Sequence, residues 1–372
     1  MSKYFFTSES VAEGHPDKVC DLVADTVLDA YLEQDPGTRA GCEVLYKGDL
    51  MVVAGEFTST AHVPVEELAR QVVAEVGYVP GKAKHNSETV RIQTLITEQS
   101  REIRAATDRA ADAPSQRGAS DQGIMFGMAC DDTPELMPLP IMLAHTIGKA
   151  IVAARKSGEV EWLRPDGKTA VTVQYEDEKP VAVTNVVVAA QHAPEITHAE
   201  VTDWVTRRIL PGALGAWLTD ATAVHVNPLG TFTLGGPEID CGMTGRKIVV
   251  DTYGGSGRIG GGALSGKDPS KLDRTGTYFC RWVAKQLVAQ GIAHKVELQI
   301  AYGFGLAKPL SVRVDTFGTG DAAEAGAWVE RFDFRPGAMA EVLDLAQPIY
   351  RSATNYGHFG KPDLPWERLP DA

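Results

Sequence analysis

Short strand-like runs recur from one end of the chain to the other: Leu50 to Phe57, Thr89 to Ile96, Ala170 to Tyr175, Val181 to Ala190, Lys247 to Asp251, Val296 to Ala301 and Leu310 to Phe317. Turn signals such as Lys47-Gly48-Asp49 and Glu176-Asp177-Glu178-Lys179 join several of them, which favours antiparallel hairpins. Helical periodicity lies between the runs. Val19, Leu22, Val23, Val27, Ala30 and Tyr31 share one apolar face, and Leu272, Phe279, Val283 and Leu287 share another. Val65 to Val76 and Ala199 to Ile209 are further helix candidates. The expected class is α+β, with helices covering one face of mainly antiparallel sheets. At 372 residues the chain exceeds one ordinary core, so two or three subdomains are expected, with breaks near residues 101–118 and 234–246. Self-similarity in the sequence reveals no repeat.

The formal net charge is −13. That field disfavours a general nucleic-acid binder. No apolar stretch is long enough to span a membrane. The first residues lack an apolar export segment. The five cysteines are scattered and never spaced as CxxC, so free thiols in a reducing cytoplasm are expected and a zinc site is not. Against this acidic background one stretch stands out. Residues 246–274 carry Arg246, Lys247, Arg258, Lys267, Lys271 and Arg274 against Asp251, Asp268 and Asp273. Cations concentrated beside glycines imply a small polyanionic ligand.

Within that stretch, Gly261 to Lys267 has the spacing of a P-loop, but Asp268 stands where Ser or Thr is required, and no buried parallel strand leads into it. A true P-loop is rejected. Glycines still let backbone N–H groups approach an anion, and a lysine adds charge. Asp268-Pro269 reads as an N-cap and first helical residue, which puts Lys271 and Asp273 in an opening turn suited to phosphate and to a phosphate-bound magnesium ion. The alternative is a flexible loop capping an ordinary helix. Gly14-His15-Pro16-Asp17-Lys18 repeats the arrangement: His15 is a donor to phosphate or a plain cap, and Asp17 a metal ligand or a helix-face acid. Asp21, Asp25 and Asp29 follow at four-residue spacing, and part of that stripe is expected to be a solvated face. Gly118 to Gly123, Pro165-Asp166-Gly167-Lys168 and Gly235 to Gly242 are weaker patches, each equally a turn. Polar Ser100 to Gly118 is a surface linker or a lid.

Together these segments resemble the methionine adenosyltransferase (S-adenosylmethionine synthetase) family over nearly the whole chain. The likeness is carried by Thr7-Ser8-Glu9-Ser10 with Gly14 to Lys18, by Asp121 to Gly127, by Asp251 to Gly255, by Gly260 to Asp273, and by Tyr356 to Gly360. It implies three similar α+β subdomains around a pseudo-threefold axis, here 3–101, 116–234 and 236–366, interleaved in space. It implies ATP and L-methionine as substrates, S-adenosylmethionine as product, and cleavage of the triphosphate to phosphate and diphosphate. Homodimers with active sites at the interface, often paired into tetramers, are part of the same implication. ATP contacts carried over fall on His15, Asp166, Lys168, Thr231, Phe232, Asp240, Arg246, Lys247, Ala263 and Lys267; catalytic roles fall on His15, Lys168, Arg246, Lys267 and Lys271. Methionine contacts fall on Glu56, Gln99, Asp121, Asp240 and Lys271. Two magnesium ions per site fall on Asp17 and Asp273, and potassium near Glu43. Residues from Gln99 to about Arg109 correspond to the family's mobile loop.

The chain departs from the family pattern in three places. Gly230-Thr231-Phe232 stands for the usual Gly-Arg-Phe, Gln99-Ser100-Arg101-Glu102-Ile103 for Gln-Ser-Pro-Asp-Ile, and Ser120 for the glycine before Asp121. A paralogue specialised for a methionine analogue, and a non-catalytic nucleotide-binding subunit, are the alternatives these departures leave open.

Overall fold

The computed structural model describes residues 3–98 and 117–369. In chain order it contains β1 (Lys3–Val11), α1 (Pro16–Gln34), β2 (Arg39–Lys47), β3 (Leu50–Thr58), α2 (Val65–Glu75), β4 (Arg91–Thr97), β5 (Gly123–Cys130), α3 (Leu139–Lys156), β6 (Leu163–Glu176), β7 (Lys179–His192) and α4 (His198–Trp204). There follow β8 (Ala223–Val226), β9 (Gly242–Met243), α5 (Leu272–Ala289), β10 (Lys295–Tyr302), β11 (Ser311–Asp315) and α6 (Ala322–Val329). Shorter helical turns lie between them.

The strands form three sheets, in the orders β4-β3-β2-β9, β1-β6-β7-β8 and β11-β10-β5. Each sheet is built on an antiparallel hairpin, and in two of them a parallel strand adds to the hairpin's far side. The expected turns close two of these hairpins: Gly48 supplies a positive φ in the first, and Asp177 and Glu178 both sit at positive φ in the second. The pattern strand, long helix, hairpin, helix occurs three times, and each occurrence lends its first strand to the next sheet in a cycle. β1 joins the β6-β7 hairpin, β5 joins β10-β11, and β9 joins β2-β3. The fold is α+β with three repeated subdomains, knitted together by this exchange. The third unit has a two-residue first strand and ends without a parallel strand.

The long helices pack on the sheets: α1 on β2 and β9, α3 on β6 and β1, α5 on β10 and β5. One apolar core spans the first and third units, and a second fills the β6-β7 unit. Three expectations are corrected. Lys247 to Asp251 is not a strand; Ile248–Asp251 forms one helical turn, closed by Asp251 N–H donating to Lys247 O at 2.8 Å, which satisfies these backbone groups locally while Val250 and Asp251 are buried. The helix expected from Asp268-Pro269 begins at Leu272, with Lys271 at the N-cap; Asp268 instead turns the chain by accepting from Ser270 N–H at 2.8 Å. The Asp21 and Asp25 stripe is not solvated: both are fully buried. Helix α1 is covered on its apolar face by the sheet and on its polar face by loops that offer backbone N–H groups. Two elements lacked a clear sequence signal. β5, Gly-Ile-Met-Phe-Gly-Met-Ala-Cys, is buried without alternation over most of its length, and α3 is apolar around much of its circumference.

No helix among the described residues is long and apolar enough to cross a membrane.

Candidate active site

The beginning of α1 is set by its own sequence. Pro16 occupies the first turn, where its missing N–H costs nothing, and His15 is the N-cap, its Nδ1 accepting from Asp17 N–H at 3.2 Å. That hydrogen bond leaves the proton on Nε2, which points toward Asp240 Oδ2 at 3.8 Å. Burial, and then the charge of Lys247, push the His15 pKa down to about 4, against the pull of Asp17. The ring is neutral at pH 7 and presents Nε2–H as a donor.

Asp17 is buried in the same first turn. Its Oδ1 accepts Met243 N–H at 2.9 Å, its Oδ2 accepts Lys247 Nζ at 2.5 Å, and Arg246 Nε stands 3.7 Å from Oδ1. Burial works to raise the Asp17 pKa, but Lys247 and the Met243 N–H outweigh it and hold the carboxyl below its ordinary value. Arg246 is anchored by a hydrogen bond from Nη1 to Cys241 O at 2.8 Å. Thus His15, Asp17, Asp240, Arg246 and Lys247 form one cluster. Lys168, exposed on β6 opposite Val11 of β1, is close enough to push the His15 pKa down further.

A second cluster gathers around the glycine strip and the start of α5. Lys267 Nζ meets Asp273 Oδ2 at 2.5 Å, and a Cβ on Gly262 would stand 2.1 Å from Asp273 Oδ1. The strip therefore lies directly over the opening turn of α5. Lys267 forms a bridge with Gly41 of β2, and Gly41 is paired with Glu56 of β3. Glu43, two residues along β2, has its pKa raised by partial desolvation, with Lys267 pulling the other way. Lys271 Nζ lies 3.0 Å from buried Asp268 Oδ2. Asp121 is exposed beside this cluster; its neighbour Ser120 donates to Ser270 O at 2.9 Å. Ala263 links the clusters, since a Cβ on Gly245 would come within 2.3 Å of the Ala263 Cβ.

Other expected residues sit at the rim. Asp166 is buried, and its Oδ2 accepts Gly236 N–H at 2.8 Å, bracing the turn that carries Asp240. Burial, partly offset by the N–H groups of Gly236 and Gly167, pushes its pKa up to about 6. Phe232 is held by paired hydrogen bonds with His192, and Thr231 is exposed next to it. Gln99 and the loop to Arg109 lie outside the described residues. Sequence reasoning gave Asp21 and Asp25 no role at the site, because four-residue spacing in step with Asp17 reads equally as a solvated helix face.

No group of three or more His, Cys, Asp or Glu side chains among the described residues is arranged to hold a metal alone. Asp17 and Asp273 offer one carboxylate each beside cations. That donor set fits magnesium, which is commonly held by one or two carboxylates together with substrate phosphates. A cavity of about 410 Å³ adjoins the second cluster, lined among others by Arg39, Asp268 and Ser270.

Comparison with known proteins matches the chain in three consecutive pieces. Residues 3–101 match the S-adenosylmethionine synthetase N-terminal domain, 116–232 its central domain and 234–368 its C-terminal domain. The S-adenosylmethionine synthase of Sorangium cellulosum is 48% identical over 376 residues, covering 100% of this chain and 89% of that protein. That of Akkermansia muciniphila is 48% identical, covering 99% and 96%, and that of Desulforudis audaxviator 47% identical, covering 100% and 98%.

Proposed function

The chain belongs to the S-adenosylmethionine synthetase family and so transfers the adenosyl group of ATP to the sulfur of methionine, and we propose the following division of that work among its residues. The triphosphate lies between the two clusters, gripped by His15, Lys168, Arg246, Lys247 and Lys267. The adenosine end contacts Asp166, Thr231, Phe232, Asp240 and Ala263. Methionine is held by Glu56, Gln99, Asp121, Asp240 and Lys271. Asp17 and Asp273 each hold one of two magnesium ions, which when bound neutralise and orient phosphate oxygens; Glu43 serves potassium. The observation that carries this assignment is a neutral histidine donor, one carboxylate at each of two helix beginnings, each paired with a lysine, and further cations beside them, the two groups meeting at Ala263.

The chemistry needs no more than these groups. A thioether sulfur has no proton to lose, so no general base is required. Its lone pair forms the S–C5′ bond as the C5′–O bond breaks, and the electron pair leaves with the triphosphate. Alignment alone supplies roughly 7–11 kcal/mol of such a barrier. Charge accumulating on the departing oxygen is met by His15 Nε2–H and by the cations. Asp121 and Glu56 face the positive charge that develops on sulfur. The same cations then serve cleavage of triphosphate to phosphate and diphosphate.

The working unit is a homodimer with sites at the interface, further paired into a tetramer. Exposed apolar residues on the sheets beside the second cluster support this: Leu95 on β4, Ile124 on β5 and Val312 on β11. A reducing cytoplasmic setting agrees with five unpaired cysteines. Incubation with ATP, magnesium, potassium and methionine should give S-adenosylmethionine by mass spectrometry. Absence of any sulfonium product, with methionine or with ethionine and selenomethionine, would reject the assignment. A clear preference for an analogue would favour the specialised paralogue, which the exposed Thr231 motivates.

A further inference from the structure

The carboxylates along α1 form a ladder in which each rung holds the backbone of another segment. They recur every four residues, a spacing of about 6 Å along a helix. Asp17 accepts Met243 N–H at 2.9 Å, Asp21 Oδ1 accepts Gly245 N–H at 2.8 Å, and Asp25 Oδ1 accepts Gly266 N–H at 2.8 Å. Asp29 takes Tyr350 N–H at 3.0 Å and Arg351 N–H at 2.8 Å. The middle rungs are wholly buried. Asp21 Oδ2 lies 3.1 Å from Lys18 Nζ as an ion pair, and Asp25 takes both Nη atoms of buried Arg274 at 2.8 Å and Thr354 Oγ1 at 2.7 Å.

The amides clamped by the two middle rungs are those just before the cations. Gly245 precedes Arg246 and Lys247; Gly266 precedes Lys267; Arg274 follows Asp273 in the opening turn of α5. Both glycines have positive φ, +75° and +80°, and neither has room for a side chain: a Cβ would meet Ala263 Cβ at 2.3 Å and Cys42 O at 2.0 Å. Backbone at such positions is held in one conformation only when its surroundings fix it. Here a carboxylate of α1 holds the N–H in each case, and Gly266 is held on its other side by Cys42 N–H, which donates to its carbonyl at 2.9 Å. One rigid helix, through rungs a single turn apart, thus sets the spacing between the Arg246-Lys247 pair and the Lys267-Asp273 pair.

We infer that Asp21 and Asp25 are positioning residues for the triphosphate grip, acting through Gly245 and Gly266 and touching no substrate. The inference rests on the proposed function, which the unmodified chain tests first: it must cleave tripolyphosphate and form S-adenosylmethionine. If it does neither, the function assignment fails, whatever the variants do.

Asp21 is the better target, because removing Asp25 strands the buried Arg274. Asp21→Ala is expected to raise KM for tripolyphosphate at least 10-fold at saturating magnesium, while KM for methionine stays within 2-fold. Asp21→Asn keeps an oxygen acceptor for Gly245 N–H and should restore tripolyphosphate KM to within 3-fold of the parent. A purely structural role lowers melting temperature and active fraction but leaves the tripolyphosphate KM unchanged, and that result in Asp21→Ala overturns the inference. So does an Asp21→Asn variant as impaired as Asp21→Ala. Should Asp21→Ala not fold, hydrogen exchange on the native protein decides. Slow exchange at Gly245 and Gly266 relative to exposed loop amides supports the clamp, and fast exchange refutes it.

Discussion

Lys267→Ala tests the grip at its most exposed strong contact. In the parent, Lys267 Nζ lies 2.5 Å from Asp273 Oδ2, and the two side chains are 20% and 35% exposed. An ion pair that open to solvent adds little to folding, about 1 kcal/mol or less, and the bridge between Lys267 and Gly41 is made by backbone atoms. The variant should therefore fold and melt within a few degrees of the parent. Catalysis should suffer far more. A preorganised charged donor facing the leaving triphosphate is worth roughly 3–4 kcal/mol, or about 10²–10³ in kcat. The assay is methionine-dependent product formation under saturating substrates, with single-turnover kinetics separating the transfer step from triphosphate cleavage. Both steps should slow, since both use this cation. A kcat within 3-fold of the parent, in protein of unchanged melting temperature, would remove Lys267 from the mechanism.

Four further outcomes follow from the same geometry. Thr231→Arg restores a cation on the exposed rim beside Phe232, so KM for ATP should fall by a few-fold, in keeping with at most about 1 kcal/mol from a solvent-exposed charge; an unchanged or higher KM contradicts the placement of residue 231. Chelating magnesium should abolish product formation and leave the melting temperature of the ligand-free protein almost unmoved, since no cluster of described residues encloses a metal; Glu43→Gln should erase any difference in rate between potassium and sodium buffers. Because burial and Lys247 push the His15 pKa down to about 4, the imidazole stays neutral as pH falls through 6.5 and protonates only near 4. The kcat/KM profile for ATP should then lack a His15 step between pH 6 and 7; an acid limb there that vanishes in His15→Asn counts against a neutral donor.

Much of the fold was legible because hairpins and amphipathic helices announce themselves locally. The pairs around Gly48 and Asp177-Glu178, and the helices led by Val19 and Leu272, needed only periodicity and turn chemistry. The cyclic exchange of β1, β5 and β9 was not legible, because which hairpin a strand joins depends on contacts more than a hundred residues away in sequence, as between Lys3 and Glu176. At the site, Pro16 after His15 placed the first helix start correctly. Asp268-Pro269 misled by three residues, because Asp268 spends its side chain on Ala40 and Ser270 N–H groups in a turn before the helix. The acidic stripe misled for a related reason. Four-residue spacing of carboxylates looks the same whether water or backbone amides face it, and only the packed loops decide between them.

The central claim is that two helix beginnings and a glycine strip together enclose three phosphates and their metals. A crystal structure with magnesium, methionine and a nonhydrolysable ATP analogue tests it most directly. The account predicts His15, Lys247 and Lys267 within hydrogen-bond distance of phosphate oxygens, with Asp17 and Asp273 each on a magnesium ion. A triphosphate bound elsewhere, with those side chains still paired only to one another, would contradict it.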